Sequence, residues 1–465
     1  MIAVGQRVRH RKQAAWGRGV VTQVTKVGAL VELAIDFEGG ERRLKLKPEL
    51  VETMIEVLSA EENAAIDAEL AAEARAADAA ARARRKDMKA SKHAPRAKLP
   101  LNCLALLATG DGHVVLSVND GERSLRVVAR DGAVVEERGS SSFVATDLIT
   151  DGHGLYVGTR THEWGVLELF RRGQDVRMWR APMNLGVPRV TARPDGVVIH
   201  DLERVVLARE DGSAHEVPVA LDGRTVGEAV IWGDGVLVGT HGKNDEDYFR
   251  YRYLGLDGSL RHEGTGGYPW PLGDDQMITI DPRGVFGRDR AGTVTGRLDR
   301  SVYSGSLDRK LISFLELDDE LVFSTRDDTS GLVRWHPRVD EPRWHTVLSH
   351  DASLTAPVRV GPYVAVSISE YSDHPAPKVW IVDAETGAVV HVLDLKKPPT
   401  ALVPVGDDAL VAVSYSKQPV AFRRLSSAKP ERLLLTHATE CFSAASPAPG
   451  VVITTDHDSI SFFEL

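Results

Sequence analysis

Eleven polar and aromatic residues follow short apolar runs at seven places in the second two-thirds of the chain. They are His162, Trp164, His200, Asp201, His241, Asp327, Tyr371, His374, Tyr415, Lys417 and His457. Imidazole beside carboxylate is a pairing that binds divalent metals or moves protons. Asp is equally favoured in tight turns, where its side chain bonds nearby backbone. Taken singly, these residues read as turn residues; gathered in a ring, they form a candidate recognition rim for a protein partner. A second set lies near the start: Arg7, Arg9, Trp16, Arg42, Arg43 and Lys45. Cations around one tryptophan suit phosphates held by charge. They suit equally an acidic protein surface anchored by an aromatic side chain.

The local motifs of catalysis are missing. The sequence has no Gly-x-x-x-x-Gly-Lys-Ser/Thr loop, no Gly-x-Ser-x-Gly elbow, no His-Glu-x-x-His and no Cys-x-x-Cys. Its two cysteines, Cys103 and Cys441, form neither a disulfide framework nor a zinc site. They read as small buried hydrophobes, although a disulfide between them stays open if their repeats are neighbours. The acidic stretch 242–248 lacks the register of a calcium loop. No catalytic residue, metal or cofactor is therefore assigned. The stretch 370–377, aromatic and stiffened by prolines, is suited to a protein contact.

What must position the rim is a repeat. Nine times a Gly- or Asp-rich turn precedes a run of the form apolar-apolar-x-apolar. Val114, Leu155, Val197, Val236, Met277, Leu321, Tyr363, Leu410 and Val451 serve as anchors, spaced 39 to 47 residues apart. A period near 42 with about four strands per unit predicts a closed β-propeller of eight or nine blades. The clearest outer half, Lys378-Val-Trp-Ile-Val-Asp followed by a turn to Gly387 and a second strand, resembles WD-repeat and quinoprotein-type propellers. The last unit stops after its third strand, so residues just after Pro100 are expected to supply the fourth.

The first 58 residues read as short strands at Gln6–His10, Gly19–Thr25, Leu30–Phe37 and Arg42–Leu46, punctuated by glycines. The pattern Gly5-x-x-Val8-x-His10, Trp16-Gly17-x-Gly19-Val20-Val21, Asp36-Phe37-x-Gly39-Gly40 and Leu44-x-Leu46 resembles the Tudor-like domain at the C-terminus of UvrD-type helicases. The resemblance covers about a tenth of the chain, and the segment after His10 is longer here than the pattern has it. It implies an SH3/Tudor-like barrel that contacts transcription or repair machinery. Ser59-x-x-Glu62 then opens a capping box. An Ala-rich helix follows, acidic first and basic last, as the helix dipole favours; it reads as a semi-rigid spacer. Ser91 to Pro100, with two prolines, reads as a flexible joint. The expected division is a barrel over 1–58, helix and joint over 59–99, and a propeller over 100–465.

Charge divides along the same lines. Residues 1–50 hold ten Lys/Arg against five Asp/Glu, residues 51–99 nine of each, and the remainder 38 basic against 52 acidic residues. A basic head on an acidic body favours different partners for the two parts. No run of 18 apolar residues exists and the start lacks the pattern of a secretion signal, so a cytoplasmic protein without a membrane partner is expected. The leading reading is a non-enzymatic scaffold of mainly β architecture. A propeller hydrolase or lyase using a channel His/Asp site and metal assistance, and a nucleic-acid binder acting through residues 1–98, stand beside it.

Overall fold

The computed structural model describes residues 2–37, 40–69, 71–72, 75, 91–109, 111–120, 122–139, 145–150, 155–160, 166–171, 177–180, 189–193, 196–200, 202–209, 213–242, 249–281, 283–299, 314–325, 329–350, 353–368, 377–414, 416, 418–437 and 439–465. The chain divides into two compact units, Met1–Lys89 and Ala90–Leu465.

The first unit holds one five-stranded antiparallel sheet. Its strands are β1 (Arg7–His10), β2 (Arg18–Val27), β3 (Leu30–Phe37), β4 (Gly40–Leu46) and β5 (Ile55–Val57), in spatial order β4-β3-β2-β1-β5. Alternation sends Val8, Leu33 and Ile35 inward, where they meet Val21, Phe37, Val51 and Ile55 in one core. The four expected strands are present. The fifth, and the short helix Pro48–Met54 before it, carry no alternation long enough to read. The capping box forms as the spacing predicts: Glu62 N–H donates to Ser59 Oγ at 3.1 Å and Ser59 N–H to Glu62 Oε2 at 2.8 Å. Residues 60–69 are helical.

The second unit is a propeller-like β fold: nine successive four-strand antiparallel meanders among the described residues, spanning 103–139, 145–180, 189–217, 225–265, 267–299, 314–350, 358–394, 401–435 and, with one strand borrowed, 441–464. They are called the first to ninth sheets below. Several second strands are buried end to end, as in Gln276–Asp281, Glu320–Thr325 and Ala409–Val413. Fourth strands such as Leu260–Thr265 and Val389–Asp394 stay half-exposed. A strand covered on both faces carries apolar residues on both, which is why runs such as Met277-Ile278 and Leu321-Val322-Phe323 do not alternate. The turns before the second strands of the fourth to ninth sheets are tight. At Gly361 (φ 54°) a Cβ would meet the Asp407 carbonyl oxygen at 2.4 Å, so only glycine fits.

Apolar clusters join each sheet to the next from the third to the ninth. A further cluster joins the ninth to the first, with Ile453, Ile460 and Phe462 against Val114, Leu116 and Val128. The ninth sheet takes its outer strand from Ala97–Leu99, antiparallel to Ile460–Glu464. Ser91–His93 adds a fifth strand, parallel to Glu431–Leu435, to the eighth. The borrowed strand therefore precedes Pro100 rather than following it, and the expected flexible joint is two strands. The reason is hydrogen bonding: Arg96 N–H donates to the Phe462 carbonyl at 2.7 Å, and the His93 ring meets the Glu464 carbonyl at 2.6 Å. Cys103 and Cys441 are buried thiols, with no disulfide between them. Burial pushes the Cys441 thiol up to about 12.

Candidate partner-binding surfaces

On the head, alternation along β1 buries Val8 and His10 and leaves Arg7 and Arg9 together on the opposite face. The following helix meets them there. Arg7 pairs with Asp67 at 2.7 Å, Arg9 with Glu62 at 3.2 Å and Arg18 with Glu69 at 3.2 Å. Arg9 also donates to Glu56 of the neighbouring strand at 2.8 Å, which holds that carboxyl below its ordinary range. The start of the helix is thus tied to the head and is no free spacer there. Asp67 and Glu62 pair with Arg7 and Arg9, which sequence alone suggested for an outside partner.

Arg42 and Arg43, which sequence groups as one patch, lie on opposite faces of β4. Arg42 shares its face with the inward Leu44 and Leu46, and its guanidinium sits 5.8 Å from the Trp16 ring centre. Arg43 and Lys45 share the other face. Lys45 stands across from Glu32, with 3.7 Å between their charges. Trp16 is half-buried, tilted against His10 at 4.8 Å and Phe37 at 5.4 Å. It belongs to the core edge while lending a ring to Arg42. A guanidinium held over an aromatic ring can turn N–H donors away from the ring toward a carboxylate or phosphate.

On the larger unit, His162, Trp164, Asp201, Asp327, Tyr371, His374, Tyr415 and Lys417 lie outside the described residues, as do 243–248 and 369–376. His200 and His241 are described. They end the second strands of the third and fourth sheets, at the same end of each. His200 is buried, and His241 is half-buried against Gly227, where a Cβ would fall 2.3 Å from its ring. Beside it, Arg224 donates to the Thr240 hydroxyl at 2.9 Å and carbonyl at 3.2 Å. His457 is exposed and packs on Phe442 at 5.4 Å between ring centres.

The histidine that does meet a carboxylate is His437, which sequence reading missed. Its Nδ1 lies 3.4 Å from Asp456 Oδ2 and its Nε2 2.8 Å from Thr454 Oγ1. The other Asp456 oxygen accepts from the Ser459 hydroxyl and the Asp458 N–H. Burial holds the His437 imidazole below its ordinary value. Burial pushes Asp456 up, but donation from Ser459, Asp458 and His437 outweighs it and leaves the carboxyl low. The His437 and Asp456 side chains have no solvent exposure. The chain of bonds therefore clamps the loop before the ninth sheet and offers a substrate no access. No group of three or more His, Cys, Asp or Glu suited to a metal occurs among the described residues. No helix among them is long and apolar enough to cross a membrane.

Fold and surface together define a propeller-like β protein preceded by a small charged sheet unit. No protein-family model matches the chain, and neither does any curated protein. Solved structures match at low identity. One titled as the eukaryotic initiation factor is 10% identical, with a TM-score of 0.51 over 73% of this chain and 89% of its own. Dihydro-heme d1 dehydrogenase NirN is 14% identical, with a TM-score of 0.48 over 73% and 74%. BamB from Moraxella catarrhalis is 16% identical, with a TM-score of 0.43 over 68% and 96%. At such identities the likeness is one of fold alone.

Proposed function

We propose that the chain is a non-enzymatic binding scaffold. In this reading its nine sheets close into one propeller ring, whose rim takes a protein partner. Its N-terminal unit, an SH3/Tudor-like barrel, takes a second protein with an acidic surface, of the kind found in transcription or repair machinery. The observation that carries the reading is the pairing of Arg7, Arg9 and Arg18 with helix carboxylates while Arg42 stacks on Trp16. Internal pairing lowers the positive field a phosphate backbone would need. A stacked Arg–Trp pair is the kind of group that anchors protein interfaces. Two modules on one chain also suit bivalent binding.

The test is a titration of the full chain against short DNA and RNA duplexes over a salt series, beside a pulldown from native lysate with nuclease present. The scaffold reading expects protein capture that survives nuclease and falls with Trp16→Ala or Arg42→Glu. Submicromolar duplex binding at physiological salt, lost with Arg42→Glu, would replace it with the nucleic-acid reading.

A further inference from the structure

Between the seventh and eighth sheets lies a pocket of about 130 Å³. By liquid share it has room for roughly four waters, which is the size of a phosphate or a short carboxylic acid. It opens among the loop 395–400 that leads into the eighth sheet and the loop joining that sheet's second and third strands. Its lining is one-sided in charge. Lys396, Lys397 and Arg432 contribute cations, Ser414 a hydroxyl and Gln418 an amide. No carboxylate lines it among the described residues, in a unit whose acids outnumber its bases.

Arg432 is the telling side chain. Alternation on Glu431–Leu435 puts it on the same face as Leu434, toward the seventh sheet. Its Nη1 donates to the Asp394 carbonyl at 3.0 Å, and its guanidinium lies 5.8 Å from the Phe422 ring centre. Its buried Nε has no hydrogen-bond partner among the described residues. Burial holds the group below its ordinary value, with the Asp394 charge opposing. A partly desolvated guanidinium that lines the same pocket as two lysines is stabilised by an anion there. The remaining wall, with Leu434, is apolar and suits a short carbon stem.

We propose that this pocket binds the anionic end of a small molecule, one carboxylate or phosphate group, with any stem lying on the apolar wall. This site goes beyond the scaffold reading and does not depend on it. Calorimetric titration of the full chain with inorganic phosphate, with butyrate and with neutral butanol tests it. Saturable one-site binding of phosphate or butyrate, with Kd below roughly 1 mM, is expected, and butanol should not bind. Which anion binds separates a phosphate site from a carboxylate site. Lys396→Ala with Lys397→Ala should weaken binding by about tenfold or more, with the melting temperature of the unliganded protein as the control for folding. Arg432→Gln should abolish binding, and Arg432→Lys should retain part of it. Absence of saturable binding by either anion, or binding indifferent to the lysine pair, overturns the site.

Discussion

At the scale of single residues, two positions make the sharpest claims. Asp318 sits in the turn before the second strand of the sixth sheet with φ 58°, where neighbouring repeats use Gly273 and Gly361. A side chain at positive φ is strained, and glycine relieves that at some cost in unfolded-chain entropy. Asp318→Gly should therefore stabilise by about 0.5 kcal/mol, read as a small rise in melting temperature. His437 makes a pH claim. Its folded pKa lies below the unfolded value, so above that value both states are neutral and nothing changes. As pH falls through about 6.5, the unfolded chain takes a proton that the folded one refuses, and stability declines. Denaturant melts from pH 7.5 to 5 should show this slope, and His437→Gln should flatten it while lowering stability at pH 7.5. An unchanged slope in that variant would remove His437 from the account. Sequence could not point to this residue: its partners lie 17 and 19 positions away, and His457, beside Asp456 in the chain, looked the better candidate.

At the scale of elements, turns and buried runs were legible because each carries its own local chemistry. A Gly or Asp at a tight turn followed by unbroken apolar residues admits few alternatives, and all nine repeats were counted that way. Three-residue strands have no period to read, so Ser91–His93 and Ala97–Leu99 looked like a proline-broken joint. The helix carboxylates were equally opaque, since a charged face on an Ala-rich helix reads as solvated until its neighbour is known. The sixth and seventh sheets add an ion network that periodicity does not reveal. Arg334 and Glu320 pair with little exposure, and Arg334 also donates to the Ala384 carbonyl at 2.7 Å and to Glu385 at 3.1 Å. Removing one partner of a buried pair strands the other charge. Arg334→Ala should cost about 3 kcal/mol by urea melting, and Arg334→Ala with Glu320→Ala should cost less than the sum of the two single changes. Additive costs would mean the pair is not coupled.

At the scale of the whole molecule, the working boundary is between residues 89 and 90 and not at residue 100. A chain begun at Ala90 keeps both borrowed strands. One begun at Leu101 leaves the ninth sheet with three strands and bares the outer edge of the eighth. Exposed edges invite pairing with other chains. The shorter chain should melt lower and form soluble aggregates by light scattering, while the longer one should do neither. Equal behaviour of the two would show that the borrowed strands are dispensable.

The same two strands also fix where mechanical load enters. Followed along the chain, tension on the first unit meets residues 91–99 before any other strand of the second. Ser91–His93 runs parallel to Glu431–Leu435 and is held to it by only three residue pairs. Ala97–Leu99 runs antiparallel to Ile460–Glu464. Pulling from residue 90 against the chain's last residue should therefore give an early, small rupture at this seam before any sheet unravels. Force spectroscopy in which the first event instead releases a whole sheet would contradict that order. A partner that tugs on the head would in this way strain the seam on which the ninth sheet depends.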